Sequence, residues 1–316
     1  MRWVLALALP AAVFGGACGT SSANGSPRGP VTVDASVAPI ADIVAHVAGR
    51  AARVVELVPG GVDSHTFEPS PRTAKALARA DVVFLNGLHL EDPTLQMARA
   101  DHKDGAAIVE LGDRTIGPAE YQFDFTFPRS KGDPNPHLWM DPVYARRYAE
   151  LVRDALSTRL PSQAATFAAN ETRYADALSK LDTATAAAVS TIPPGQRKLL
   201  TYHDSFAYFA KRYGLTVIGA VQPADFSEPT PREVQSLIAQ VRGEHVPVVF
   251  GSEVFPSTVL QEVARETGAR YVDKLRDDQL PAPPKDSYVG LMVDDVTTIV
   301  SALGGDPSAL RAVSTR

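Results

Sequence analysis

Residues 161–195 read PSQAATFAAN ETRYADALSK LDTATAAAVS TIPPG. Pro161-Ser162 opens a helix, Phe167, Tyr174, Leu178, Leu181 and Val189 recur at helical spacing, and Pro193-Pro194-Gly195 stops it after about Ser190. At about 1.5 Å per residue, a helix of roughly 28 residues spans about 42 Å. A rod of that length crosses both flanking halves of the chain and joins them. It also restricts their relative motion more than a hinge of loose strands would. A first helix precedes it, capped by Asp141-Pro142 and running to about Arg159.

Strand-like and helix-like segments alternate on both sides of this rod. On the N-terminal side, strands are expected at 31–33, 54–58, 80–85 and 108–111, with an amphipathic run at 40–49 and a helix opened by Ser70-Pro71. On the C-terminal side, strands are expected at 198–202, 216–221, 248–250 and 270–272. Thr230-Pro231-Arg232-Glu233 reads as a capping box with proline at the first helical position, and a further helix covers 259–267. Such alternation predicts an α/β fold of two lobes with parallel sheets flanked by helices, joined by one long backbone helix. The boundaries follow as an N-terminal lobe at 31–160, the linking helix at 161–192 and a C-terminal lobe at 193–316. Each lobe is large enough to be expected to hold its own core.

Residues 1–30 read as a processing signal and tether. Arg2 supplies a short positive start, and residues 3–14 are apolar, too short to span a bilayer as a mature helix. Gly15-Gly16-Ala17-Cys18 resembles a bacterial lipobox, with Gly15 where a larger aliphatic residue is usual; lipidation of Cys18 is the expectation, and an ordinary cleaved signal the alternative. Residues 19–30 are rich in Gly, Ser, Asn and Pro, as a flexible tether is. A single cysteine excludes an intrachain disulfide framework. The net charge of −5, without a basic stripe, argues against a nucleic-acid partner.

His65, His137 and His203 fall where a strand-like run gives way to a loop or helix start, and the acidic pair Asp277-Asp278 falls in the same context. Histidine nitrogens with one carboxylate are a donor set that a borderline divalent metal prefers. In open α/β sheets, ligands bind beyond the carboxyl ends of strands. Four such groups at the ends of four elements predict one site assembled from across the fold. Prolines on both sides of His137 stiffen its backbone, and Trp139 and Met140 supply apolar cover. Glu68, Asp141 and Glu253 are candidates to orient the histidines, or else helix caps and surface ion-pair partners. His46, His89, His102 and His245 are expected to have structural or solvent roles.

Several stretches together resemble the zinc- and manganese-binding solute receptors of bacterial ABC transporters. They are the His65 loop ending Glu68-Pro69-Ser70-Pro71, the run Pro136-His137-Leu138-Trp139-Met140-Asp141-Pro142, and His203-Asp204-Ser205-Phe206-Ala207-Tyr208-Phe209 with its continuation to Leu215. Ser252-Glu253, Glu266-Thr267-Gly268 and Tyr288-Val289-Gly290-Leu291-Met292 match later motifs. The resemblance covers about Val31 to Leu303. It implies a metal held in the cleft between the lobes, with His65 and His137 from the first, and His203 and Asp278 from the second. Asp277 is the near alternative to Asp278.

The resemblance further implies a lipid-anchored, extracytoplasmic, monomeric receptor, not an enzyme. Such a receptor hands its metal cargo to a membrane permease driven by an ATPase. Three histidines and one carboxylate suit Zn²⁺, whereas Mn²⁺ is harder and favours oxygen donors. Residues 118–135, where many zinc-binding members carry a histidine-rich loop, contain no histidine. That absence counts against zinc, but the chain keeps His203 where members of the family associated with manganese carry glutamate, so Zn²⁺ is the expected cargo and Mn²⁺ the alternative. A zinc metallohydrolase would need an open water position and a base such as Glu68, Asp204 or Glu253, and the chain has no His-Glu-x-x-His helix. A surface interaction protein with a structural metal would unfold without it.

Overall fold

The computed structural model describes residues 31–224, 226–252 and 257–315. The signal, the tether, Cys18 and Glu253 lie outside them. In chain order the elements are β1 (Val31–Ala35), α1 (Ala38–Ala48), β2 (Ala52–Glu56), α2 (Pro71–Leu77), β3 (Val82–Leu85), α3 (Asp92–Asp101), β4 (Ala107–Glu110), α4 (Pro142–Arg159) and α5 (Ala164–Ser190). They continue as β5 (Lys198–Thr201), α6 (Ala207–Tyr213), β6 (Thr216–Ala220), α7 (Pro231–Gly243), β7 (Val248–Ser252), α8 (Thr258–Thr267), β8 (Arg270–Leu275) and α9 (Tyr288–Ala302).

The strands form two four-stranded parallel sheets, ordered β2-β1-β3-β4 and β6-β5-β7-β8. In each, the strand order reverses after the second position, so loops diverge there and leave a crevice at the carboxyl ends. All four residues of β3 are buried, as in a strand covered by helices on both faces. Local signals set several boundaries. Ser70 Oγ accepts from the Thr73 N–H at the start of α2. Thr230 and Glu233 form a reciprocal capping box on α7.

Helix α5 is 27 residues long, preceded by a single 3₁₀ turn at Pro161–Gln163. It packs on α1 and α4 of the first half and on α6 and α9 of the second. Its buried Phe167, Tyr174, Leu178, Leu181 and Val189 form the predicted stripe. One hydrophobic cluster runs from Val33 and Phe84 in the first sheet through Phe167 and Leu181 to Leu199, Phe250 and Met292 in the second half. The lobes therefore share a core behind the cleft, in addition to the clusters that each holds alone. Smaller clusters lie under the outer helices, around Leu77 and Leu85 in one lobe and Leu237 and Val249 in the other.

Helices α3 and α9 were not foreseen. Helix α9 buries Tyr288, Val289, Leu291, Met292, Val296, Ile299 and Val300 along one face, together with Asp295, and leaves Asp294, Thr297, Thr298 and Ser301 on the other. Its start is set by Ser287 Oγ, which accepts from the Gly290 N–H at 2.9 Å.

Asp34 lies within β1, fully buried, and neither carboxyl oxygen has a hydrogen-bond partner. Burial, opposed by the charge of Arg53, pushes its pKa up to about 6. The native state then holds more protons than the unfolded chain between about pH 4 and 6, so stability falls as pH rises through that window, by up to about 1.4 kcal/mol per unit. Asp34→Asn is expected to remove that slope. Urea unfolding at pH 4, 5 and 6 measures it, and equal slopes in variant and parent would contradict the assignment.

Candidate metal centre

Three of the four predicted segments follow parallel strands at their carboxyl ends, whereas His137 directly precedes a 3₁₀ turn, Leu138–Met140, with no strand leading into it among the described residues. His65 follows β2, His137 lies between β4 and α4, His203 comes two residues after β5, and Asp277-Asp278 follow β8. His65, His137 and His203 converge until one ring nitrogen of each lies within 4.8 Å of the others. The Nε2 atoms of His65 and His137 are 3.2 Å apart, and those of His203 and His137 are 2.9 Å apart. His137 is fully buried, His203 nearly so, and His65 half-buried.

The outward nitrogens of two rings are anchored. His137 Nδ1 donates to Asn135 Oδ1 at 2.8 Å, and the same oxygen accepts the His137 backbone N–H at 3.0 Å. His203 Nδ1 donates to Gln222 Oε1 at 2.5 Å. With their protons on Nδ1, both rings aim Nε2 lone pairs at each other. Two acceptors at such a distance repel unless a metal ion or a proton lies between them. Four tetrahedral donors about 2.05 Å from Zn²⁺ would stand about 3.3 Å apart, close to the spacing seen here.

Neither aspartate belongs to the compact three-histidine group. Asp277 Oδ2 lies 3.7 Å from His203 Nε2. Asp278 Oδ2 accepts from Ser64 Oγ at 2.5 Å, while its buried Oδ1 has no partner. Burial and the charge of Asp277 push Asp278 up to about 7. Burial, with the charge of His203 second, holds His65 well below the ordinary histidine range, and the same two causes lower His137. Burial also pushes His203 down, but Asp277, Asp278, Asp63 and the Gln222 bond outweigh it and leave its pKa raised.

Aromatic rings wall the site. Phe226 stacks on His65 with ring centres 4.5 Å apart, Phe127 packs against His65 and His137, and Trp139 meets His137 edge-on at 5.1 Å. The cavity beside His65, bounded by Leu88, Phe127 and Phe226 among others, measures about 80 Å³. Residues 118–135 reach across from the first lobe. Phe125 and Thr126 donate backbone N–H groups to Asp204 Oδ2 at 3.1 and 3.2 Å, and Lys131 Nζ donates to the Ala224 carbonyl at 2.5 Å.

The candidate orienting residues stand elsewhere. Glu68 is exposed, and no contact ties it to the histidines. Asp141 accepts from the Val143 N–H at the start of α4 and pairs with Arg212 at 3.4 Å, so it is a helix cap and ion-pair partner. Asn135 and Gln222 hold the rings instead. Asn135 could have been found in the sequence, two residues before His137; Gln222 lies 19 residues after His203 and gave no local signal. The other four histidines remain apart from the group, His46 stacked on Tyr174 and His89 bonded to Asp92.

Comparison with known proteins gives concordant results. The family described as "ZnuA: Zinc-uptake complex component A periplasmic" matches residues 33–302. The chain is 30% identical over 270 residues to "Iron-binding protein YfeA" of Yersinia pestis, covering 84% of each chain. It is also 30% identical over 298 residues to "Manganese-binding lipoprotein MntA" of Bacillus subtilis, covering 90% of this chain and 94% of that one. The solved periplasmic zinc-binding protein TroA from Treponema pallidum superposes with a TM-score of 0.79 at 25% identity, over 87% of this chain and 99% of that one.

Proposed function

The chain belongs to the family of periplasmic zinc-uptake components, metal-binding receptors of ABC transporters, and from that premise we propose that it captures Zn²⁺ outside the cytoplasm and delivers it to a permease driven by an ATPase. The observation that carries this reading is the convergence of three imidazole Nε2 atoms, two of them with protons held outward. His65, His137, His203 and one carboxylate are the proposed ligands. Asp278 is preferred because its buried Oδ1 is unpartnered, with Asp277 as the alternative.

Such a donor set favours Zn²⁺ over the harder Mn²⁺. Relatives named for iron and manganese make Mn²⁺ the second candidate cargo. Anchoring through a lipidated Cys18 and a monomeric state belong to the same proposal. No helix among the described residues is long and apolar enough to cross a membrane. Hydrolysis is the weaker reading, because Phe127 and Phe226 pack directly on His65 and leave little room beside it for an organic substrate.

Metal content and competitive Zn²⁺/Mn²⁺ titration of the purified protein, beside Asp277→Ala and Asp278→Ala, test the reading. One tightly bound metal is expected, weakened most by Asp278→Ala. A larger loss in Asp277→Ala would transfer the ligand role, and a parent protein without tight binding would end the proposal.

A further inference from the structure

The side-chain amide of Gln222 is held at both ends. Its Oε1 accepts from His203 Nδ1 at 2.5 Å, and its Nε2 donates to Asp63 Oδ2 at 3.0 Å. Gln222 follows β6 in the second lobe. Asp63 belongs to the first-lobe loop that carries His65, and its other oxygen accepts the His65 N–H at 2.9 Å. An ionised carboxylate accepts hydrogen bonds and donates none, so Asp63 admits only the NH₂ end of the amide. The carbonyl end is then left for His203. To donate to it, His203 must carry its proton on Nδ1, which bares the Nε2 lone pair toward His137.

We infer that Asp63 and Gln222 form a positioning relay across the cleft, through which the first lobe sets the tautomer of His203 in the second and readies it for metal. The inference rests on the proposed role of His203 as a ligand. His137 has no such dependence on a single contact. Asn135 Oδ1 accepts both its ring and backbone N–H groups, while Asn135 Nδ2 is turned toward Asp124 Oδ2 and the Asp204 carbonyl. For His203 the Asp63 contact is what chooses between the two ends of the amide. When the lobes separate, Gln222 is free to turn, and the third nitrogen donor is no longer preset. Cleft opening and metal release are thereby linked through one amide.

Asp63→Asn tests this directly. The new side chain keeps an oxygen for the His65 N–H and turns its NH₂ toward Gln222, which must present its carbonyl to Asn and its NH₂ to His203. In the metal-free full chain, ¹⁵N-histidine NMR should then move the His203 proton from Nδ1 to Nε2. Zn²⁺ affinity should fall by about 10- to 100-fold, the range typical of residues that orient a metal ligand. Combining Asp63→Asn with Gln222→Glu restores an acceptor behind Nδ1 and a donor in front of the carboxylate, so tautomer and affinity should both recover. An unchanged tautomer in Asp63→Asn, or no recovery in the double variant, would overturn the relay. His203→Ala separates the two levels. If it loses Zn²⁺ while Asp63→Asn binds normally, only the relay fails; if it binds normally, the ligand reading fails and takes the relay with it.

Discussion

His137→Ala is expected to abolish tight metal binding while leaving a folded protein. His137 is the central member of the cluster, since the Nε2 atoms of both His65 and His203 approach its own, at 3.2 and 2.9 Å. Residues that merely orient a ligand already account for about 10- to 100-fold in affinity, so removing the proposed central ligand should raise Kd by more than about 100-fold, or about 2.7 kcal/mol. The metal-free fold should persist, because the core that joins the lobes through α5 contains none of the three histidines. Metal should stabilise the parent by about 4 kcal/mol at a free concentration 1,000 times Kd, and the variant hardly at all. Thermal unfolding with and without Zn²⁺ measures both effects. A metal-free parent that unfolds would instead identify a structural metal.

Trp139 should have the largest effect on stability of any residue near the site. It is fully buried, its Nε1 donates to the Asp277 carbonyl at 3.0 Å, and its own carbonyl accepts from Tyr288 OH at 2.6 Å. It thus ties the His137 segment of one lobe to the acidic pair of the other and to the start of α9. Trp139→Ala should lower unfolding free energy by about 3–5 kcal/mol, the usual range for deleting a buried large aromatic. Trp139→Phe keeps most of the ring but leaves a buried carbonyl without its donor, and about 1–3 kcal/mol is expected. Because the carbonyl belongs to Asp277, Trp139→Phe should also weaken metal binding. Equilibrium denaturation paired with Zn²⁺ titration distinguishes the two contributions. A Phe variant with parental stability and affinity would show that the indole bond holds nothing in place.

Much of this organisation was legible in the chain because it is encoded locally. The spacing of Phe167, Tyr174, Leu178 and Leu181, bracketed by proline signals, specified α5 within a few residues. Caps at Ser70, Asp141 and Thr230 marked helix starts because a short polar side chain bonds a backbone N–H two or three residues on. His65 and His203 stood out because each follows a strand, and in a parallel sheet all strands end on one side; His137 stood out by the prolines that flank it, Pro136 and Pro142. Helix α9 is harder to read because a charged residue, Asp295, sits buried on its apolar face and interrupts the stripe of Leu291, Met292, Val296, Ile299 and Val300.

Chain chemistry by itself determined the two-lobed α/β plan, the long joining helix and three of the residues that meet in the cleft. Only the tertiary structure decided that the lobes share one core, that residues 118–135 clasp the second lobe through Asp204, and that Glu68 and Asp141 stand away from the histidines. It also decided that Asn135 and Gln222 carry the orienting bonds. The physical reason is distance along the chain. A cap or an apolar stripe is satisfied by neighbours a few residues away. Gln222 meets Asp63 across 159 residues, and Trp139 meets Asp277 across 138, contacts that no local pattern records and that come into being only when the loops beyond the strands of the two lobes are brought together.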